Sequence, residues 1–325
     1  MPRVTNRWLD RAKSAQTRLR ERRTPLTDDL ALVEDPNAAP ARVTELDETT
    51  WLVERGERRR VVPLGAPDLG TTLLTTGRKV RRLKPSHLYE KALLDHACQG
   101  HLVWLLTRLK IDVVLDVGAN RGQYARGLRA AGYEGRIISF EPVPATLDRL
   151  REVSRDDPLW DVVPYALGRE DGEAEIHVND TLSSMLDASE FGVEWKESMG
   201  RAPTTTIQVR RLDGVLAEVL DGVTGADGAA PRLYLKLDTQ GFDLEAFAGL
   251  GDRVSDVLGM QSEVACLPIY EGMPGMSEAL ETYTAAGFSL TAMFPVSRHV
   301  PTMRVIEFDA FLVRDPDPEH PDRHP

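Results

Sequence analysis

The stretch from Val113 to Pro142, VVLDVGANRGQYARGLRAAGYEGRIISFEP, constrains the fold more than any other part of this chain. Val113, Val114 and Leu115 form an apolar run that stops at Asp116, and Gly118 and Gly122 bracket the turn that follows. A helix is expected from about Arg121 to Ala131, with Gly132 placed to end it. Ile137 to Phe140 make a second strand, and Glu141 stands just past its end. Strand, glycine turn, helix and strand make half of a nucleotide-binding sheet, whose ligands sit at the carboxyl ends of the strands. A carboxylate after the second strand is placed to accept hydrogen bonds from two ribose hydroxyls.

Two ligand classes compete for this turn. A dinucleotide fold requires G-x-G-x-x-G, with backbone that closely approaches a pyrophosphate. Here the turn reads Gly118-Ala119-Asn120-Arg121-Gly122, and Asn120 stands where the middle glycine would be. Asp116, at the start of the turn, would repel phosphate but suits an ammonium or sulfonium group. S-adenosylmethionine carries a ribose, a cationic amino acid end and no phosphate, so the turn favours it over NAD.

Composition narrows the class. A formal net charge of −11 over 325 residues argues against a general nucleic-acid binder, which needs a basic face. Two cysteines, Cys98 and Cys266, make neither a disulfide framework nor a cysteine-rich metal site, and both read as buried thiols. No apolar run approaches the ~20 residues of a membrane span. The N-terminus has no apolar secretory segment, so a cytoplasmic enzyme is expected.

Residues 1–95 read as an N-terminal extension. Val4, Trp8, Ala12, Ala15 and Leu19 recur at helical spacing among basic residues, which predicts an arm packed on its own core or on a second subunit of a homodimer. Residues 25–50, with Pro25, Pro36 and Pro40, read as an irregular linker, and Thr50 to Val62 as a strand or a hairpin with Gly56 at its turn. Pro85 to Lys110 is expected to be helical. From 96 to 314 strands alternate with helices, which implies an α/β fold with a mostly parallel sheet covered on both faces. Its later strands are Asp161–Ala166, Ala174–Val178, Thr206–Arg210, Arg232–Asp238, Val257–Val264 and an antiparallel pair, Phe288–Phe294 with Val305–Arg314. A long polar loop, Asn179 to Thr205, interrupts them, and such loops are usually functional. Residues 315–325 read as a disordered tail.

Asp116, Glu141, Asp238 and Glu263 all stand at carboxyl ends of expected strands, where a ligand would sit. The segments DVGANRGQYA, ISFEPVPATLDRL, ALGREDGEAEIHV, TLSSML, VRRLDGVL, LYLKLDTQGFDLEAFAGL and SEV then follow in order. Together they resemble the FkbM family of S-adenosylmethionine-dependent methyltransferases. The LKLDTQGFDLEAFAGL block, with Lys236, Asp238, Gly241 and Asp243, carries most of the likeness. Asp243 stands where the family often has glutamate, which weakens a metal or base role there.

The resemblance implies a Rossmann-like seven-stranded methyltransferase sheet and O-methylation of a hydroxyl on a sugar or polyketide-type natural product. It implies that the backbone of Gly118, Ala119 and Asn120, closed by Gly122, lies against the methionine part of the cofactor. Asp116 would neutralise the ammonium, Glu141 beside Pro142 would hold the ribose, and Tyr165 and Ala166 would approach the adenine. Asp238 would face the methyl-transfer region. Alcohols are poor nucleophiles, so a base is expected: Asp238 first, Glu263 second, with His299 and His177 as further candidates. Lys236, two residues from Asp238, shares its strand face and can orient a substrate oxygen or serve as counter-ion. Ser183 and Ser184 match a serine pair in the long loop, which can close over a small-molecule hydroxyl substrate. Asp238, Asp243 and Glu263 are hard oxygen donors, but no metal-specific spacing is present and a divalent metal stays an open alternative. A non-catalytic S-adenosylmethionine-binding interaction protein and an NAD-dependent enzyme are the alternatives in other classes.

Overall fold

A computed structural model of the chain describes residues 3–6, 22–25, 30–34, 42–47, 50–55, 73–76, 87–225 and 228–314. The chain divides into two compact units, 1–100 and 101–325.

In the first unit, Arg3–Asn6 (β1), Arg22–Pro25 (β2) and Leu30–Glu34 (β3) form a sheet in the order β1-β3-β2. Arg42–Asp47 (β4), Thr50–Arg55 (β5) and Leu73–Thr76 (β6) form another in the order β4-β5-β6. The expected basic helix is thereby corrected at its start, where Val4 pairs with Leu32; positions 7–21 lie outside the described residues. The expected linker is corrected too. Its apolar stretch LALVE, between Pro25 and Pro36, is the central strand of the sheet and is paired on both edges. Pro25, which lacks an N–H, ends an edge strand, where a missing donor is tolerated. Of the stretch expected as a strand or hairpin, Thr50–Arg55 is a strand, which pairs antiparallel with β4 before it and parallel with β6, and residues 56–62 lie outside the description. So does the tail, 315–325.

Helix α1 (His87–Arg108) buries Leu102, Leu105 and Leu106. After it come β7 (Val113–Val117), α2 (Gln123–Ala130), β8 (Arg136–Phe140), α3 (Pro144–Ser154) and β9 (Trp160–Val163). A small outlying sheet holds β10 (Ala166–Leu167), β11 (Gly172–His177) and, after α4 (Glu190–Trp195), β12 (Thr204–Arg210). The chain returns through α5 (Leu212–Val219), β13 (Leu233–Leu237), α6 (Asp243–Ala248), β14 (Val257–Ala265), α7 (Met276–Ala285), β15 (Phe288–His299) and β16 (Arg304–Arg314).

The main sheet has seven strands in the order β15-β16-β14-β13-β7-β8-β9. It is parallel from β14 to β9 and antiparallel across β14, β16 and β15. The expected third strand, Asp161–Ala166, is corrected: Pro164 interrupts it, and Ala166 pairs with Val209 in the outlying sheet. Every residue of β7 and of β13 is buried, as befits strands covered on both faces. Val113, Leu115 and Val117 join α5, α6 and α7 side chains in one core, including Leu216, Phe247 and Tyr283. By strand alternation Val114 and Asp116 face the other way. The connection after β8 and β9 crosses back to β13, so β7 and β13 flank the point where strand order reverses, the usual ligand crevice of an open α/β sheet. No helix among the described residues is long and apolar enough to cross a membrane.

Candidate active site

The parallel register lays a polar row across one face of the sheet. Gln261 stands beside Lys236, Lys236 beside Asp116, and Asp116 beside Ser139. All four are buried. Trp160 Nε1 donates to Ser139 Oγ (3.0 Å), and Ser139 Oγ donates to Asp116 Oδ2 (3.1 Å). Lys236 Nζ lies 3.1 Å from Asp116 Oδ1 and 3.4 Å from Asp238 Oδ2, and donates to the carbonyls of Val117 and Gly118. Burial works against its charge, but Asp116 and then Asp238 outweigh that and hold Lys236 above the usual lysine range. Asp116 is wholly enclosed, so it lies beneath the crevice with Lys236 as its counter-ion. Removing one partner of such a buried pair typically costs about 3–5 kcal/mol.

Above this row lies a partly open pocket. Gly118, Asn120, Glu141, Pro142, Tyr165, Ala166, Ser183 and Asp238, all singled out in the sequence, line it together. Gly118 must be glycine: its φ is +76°, and a Cβ there would lie 1.9 Å from the Asp238 carbonyl oxygen. That contact brings the glycine turn and the end of β13 together. Gly122 packs below the turn, where a Cβ would strike Trp160 and Leu150, so it shapes the turn without facing the pocket. Ala119 is buried and donates its N–H to the Phe140 carbonyl (3.0 Å).

Glu141 is held at both oxygens: Oε2 accepts from Asn120 N–H and Oε1 from Val143 N–H, each at 2.9 Å. Burial nevertheless pushes its pKa up to about 7, against the pull of those hydrogen bonds and of Lys236. Each oxygen keeps a second lone pair for a hydroxyl donor. Val117, Phe140, Val143, Leu167, Ile176 and Met185 add apolar wall, and Thr146, Asp180, Thr181, Thr239 and Gln240 add polar groups. Sequence reasoning passed over all of these. Asn120, Asp180 and Gln240 have φ of +48°, +52° and +55°, so three non-glycine residues in the left-handed region gather at one pocket. Such backbone marks functional sites.

The long loop is a built cap. Asn120 Nδ2 donates to the Asp180 carbonyl (2.9 Å), and Arg121 pairs with the Asp180 carboxylate (2.8 Å). Ser183 Oγ accepts from Asn179 N–H (2.9 Å) and donates to the Asp180 carbonyl (3.0 Å). Ser184 is buried off the pocket wall, where it donates to the Gln240 carbonyl (2.7 Å). Farther along, Leu182, Leu186, Phe191 and Trp195 pack with Tyr270, Met273 and Ile306 in a core of their own.

At the ends of β13 and β14, Gln240 Nε2 donates to Asp238 Oδ1 and to Glu263 Oε2, both at 2.9 Å. Glu307 and Asp309 on β16 stand beside Glu263. Burial, then repulsion from Asp238 and these neighbours, pushes Glu263 well above the usual carboxylate range. Burial likewise pushes Glu307 to about 7 and Asp309 to about 6.

The other expected site residues have other partners. Asp243 lies near this group, but its carboxylate is engaged elsewhere: it accepts from Thr239 and from Ser262 Oγ (2.8 Å), tying α6 to two strand ends. Among the described residues no group of three or more His, Cys, Asp or Glu side chains is arranged to hold a metal ion. His299 ends β15, packs edge-on against Phe191 (5.3 Å) and contacts Thr302, away from the pocket wall. His177 pairs with Asp187 (3.0 Å) at the foot of the cap. Of the two cysteines, Cys266 is exposed and Cys98 half-buried, which corrects the expectation of two buried thiols.

The pocket offers a carboxylate after the second strand, an apolar wall and a glycine cradle, and its lining carries no Lys or Arg among the described residues. A family model, the methyltransferase FkbM domain, matches residues 116–290. Among curated proteins, the 2-O-methyltransferase NoeI of Sinorhizobium fredii is 23% identical over 186 residues, covering 56% of this chain and 74% of that protein. The hexuronic acid methyltransferase AglP of Haloferax volcanii is 32% identical over 127 residues, covering 35% of this chain and 51% of that protein, so the match spans about half of AglP. Among solved structures, the magnesium protoporphyrin IX methyltransferase ChlM of Synechocystis PCC 6803 aligns at a TM-score of 0.37 with 10% identity, covering 74% of this chain and 91% of that one; a likeness this distant carries no weight here.

Proposed function

Because this chain belongs to the FkbM methyltransferase family and is an S-adenosylmethionine-dependent methyltransferase, we propose that it methylates a hydroxyl group of a sugar. The observation that carries this reading is the convergence of Glu141 and Asp238 on the two sides of one glycine turn, in a single pocket. The name of NoeI, a 2-O-methyltransferase, supports an oxygen acceptor, and that of AglP, a hexuronic acid methyltransferase, supports a sugar-derived one.

Bound S-adenosylmethionine supplies an electrophilic methyl group on a sulfonium. What remains for the protein is to hold the donor, aim the acceptor oxygen and take its proton. Glu141 accepts hydrogen bonds from the ribose hydroxyls. The backbone of Gly118 to Asn120 lies along the amino acid end, and Phe140, Val143, Tyr165, Ala166 and Leu167 hold the purine. Asp116 acts through Lys236, whose charge it fixes in place. Asp238, partly open to solvent, takes the acceptor proton. Glu263 stands behind it, joined through Gln240. Holding the acceptor oxygen near attack distance then supplies much of the rate.

Calorimetry with S-adenosylhomocysteine, with Glu141→Ala as control, tests the donor half. Mass detection of products from a panel of methyl glycosides and glucuronides tests the acceptor half. Absence of heat from the unaltered protein would overturn the donor assignment. Methylation confined to amine or carbon acceptors would overturn the hydroxyl.

A further inference from the structure

The Gln240 side chain bridges both carboxyl groups at the ends of β13 and β14. Its two amide hydrogens are fully committed, one to Asp238 Oδ1 and one to Glu263 Oε2. Its Oε1 lies 3.1 Å from Tyr270 OH, whose single hydrogen is shared between that oxygen and the Leu182 carbonyl (3.0 Å) in the cap. The amide orientation follows from this network: flipped, the carbonyl would face two carboxylates and the NH₂ would face a hydroxyl donor. Tyr270 is buried and its pKa is raised, so it remains a neutral donor. The Gln240 backbone is held as well. It sits at φ +55°, and its carbonyl takes the Ser184 hydroxyl of the cap (2.7 Å). Next to it Gly241 packs against Leu186, where a Cβ would lie 3.1 Å from the leucine side chain.

Asp238 disfavours the ionised form of Glu263, and a donor shared between the two groups offsets that. A neutral amide with two hydrogens fits between them and adds no charge.

We propose that Gln240 is a positioning residue: its side-chain amide sets the mutual geometry of Asp238 and Glu263 and ties that geometry to the cap segment. This rests on the reading of Asp238 as the proton acceptor. Side chain and backbone carry separate parts of the link, since Tyr270 and Ser184 both reach the cap from this one residue. The acceptor base is therefore aligned when the cap is seated.

The test uses the full chain with Gln240→Met, which keeps side-chain length and removes both donors. Glu263 is followed by carboxyl-carbon NMR in protein labelled at glutamate, its signal assigned by its loss in Glu263→Gln. The amide favours the ionised form of Glu263, against Asp238, Glu307, Asp309 and Asp243 around it. Removing it should raise the Glu263 midpoint by roughly 0.5–1 pH unit. Turnover on an accepted glycoside should fall about a hundredfold with the acceptor KM little changed, the signature of misalignment. In Gln240→Glu, the protonated side chain regains one donor, so its pH–rate profile should shift to lower pH. Should Gln240→Met fail to fold, Tyr270→Phe frees the amide and should raise the same midpoint by a smaller amount. An unmoved Glu263 midpoint in the folded variants overturns the proposal, as does full turnover in Gln240→Met. The NMR readout needs neither donor nor acceptor, so a protein that binds no S-adenosylhomocysteine would sink the function proposed above and leave this inference separately measurable.

Discussion

Glu141 makes donor binding depend on pH in a way that can be worked through. The carboxyl is buried, and its pKa stands at about 7 instead of the ordinary 4.5. Ribose hydroxyls donate to a carboxylate, and a protonated carboxyl loses one acceptor position and presents a hydrogen instead. S-adenosylhomocysteine should therefore bind the ionised form. Its Kd should fall as pH rises through about 7 and then level. With a pKa of about 7, one proton in competition makes binding roughly elevenfold weaker at about pH 6 than at the alkaline limit, or about 1.4 kcal/mol. Titration calorimetry between about pH 5.5 and 8 reads this directly. Glu141→Gln should lose the slope and bind weakly throughout, since an amide in that place also leaves either Asn120 N–H or Val143 N–H facing an NH₂. In the unliganded protein the sign for folding is the reverse of the usual carboxylate. The folded state holds the proton more tightly than the unfolded chain, so a stability penalty sets in as pH rises from 4.5 through about 7. A flat Kd across the window, or a slope that survives Glu141→Gln, would refute the reasoning.

Three further outcomes follow from the same geometry. Gly118→Ala should lower stability by about 3 kcal/mol or more, because backbone at Asp238 cannot yield to the new Cβ and the positive φ adds strain; an unchanged thermal midpoint would exclude the contact. Lys236→Met should cost about 3–5 kcal/mol in a denaturant titration, by stranding Asp116 in the core, and Lys236→Met with Asp116→Asn should recover part of it. Simple additivity of the two changes would show that the pair is not coupled. Asp238→Asn should reduce turnover by about 10²–10⁴-fold and leave S-adenosylhomocysteine affinity nearly intact, and retained turnover would move the base to Glu263.

Legibility in the sequence divides along separation in the chain. The glycine turn, Glu141 after its strand and the shared face of Lys236 and Asp238 are local facts, readable from apolar runs and strand alternation. Which strands lie side by side is not local. Asp116 reads as a free anion facing a ligand until β13 is placed beside β7 in register, which sets Lys236 against it. Asn120 reads as a missing glycine until Asp180, sixty positions on, docks against its side chain. The segment from Asn179 to Thr205 reads as a polar loop because Leu182, Leu186, Phe191 and Trp195 are spread thinly along it; their burial depends on Tyr270 and Ile306. In the first unit, the basic arm has helical spacing, but LALVE supplies a strand edge that no periodicity in the arm reveals. Asp238 lies where the two kinds of information meet. Its own strand places it at the crevice, and its fine geometry is set by Gln240, Tyr270 and the cap, through contacts across the chain. On this view, changes within 113–142 should act on donor binding, and changes within the cap should act on the alignment of the acceptor with its base.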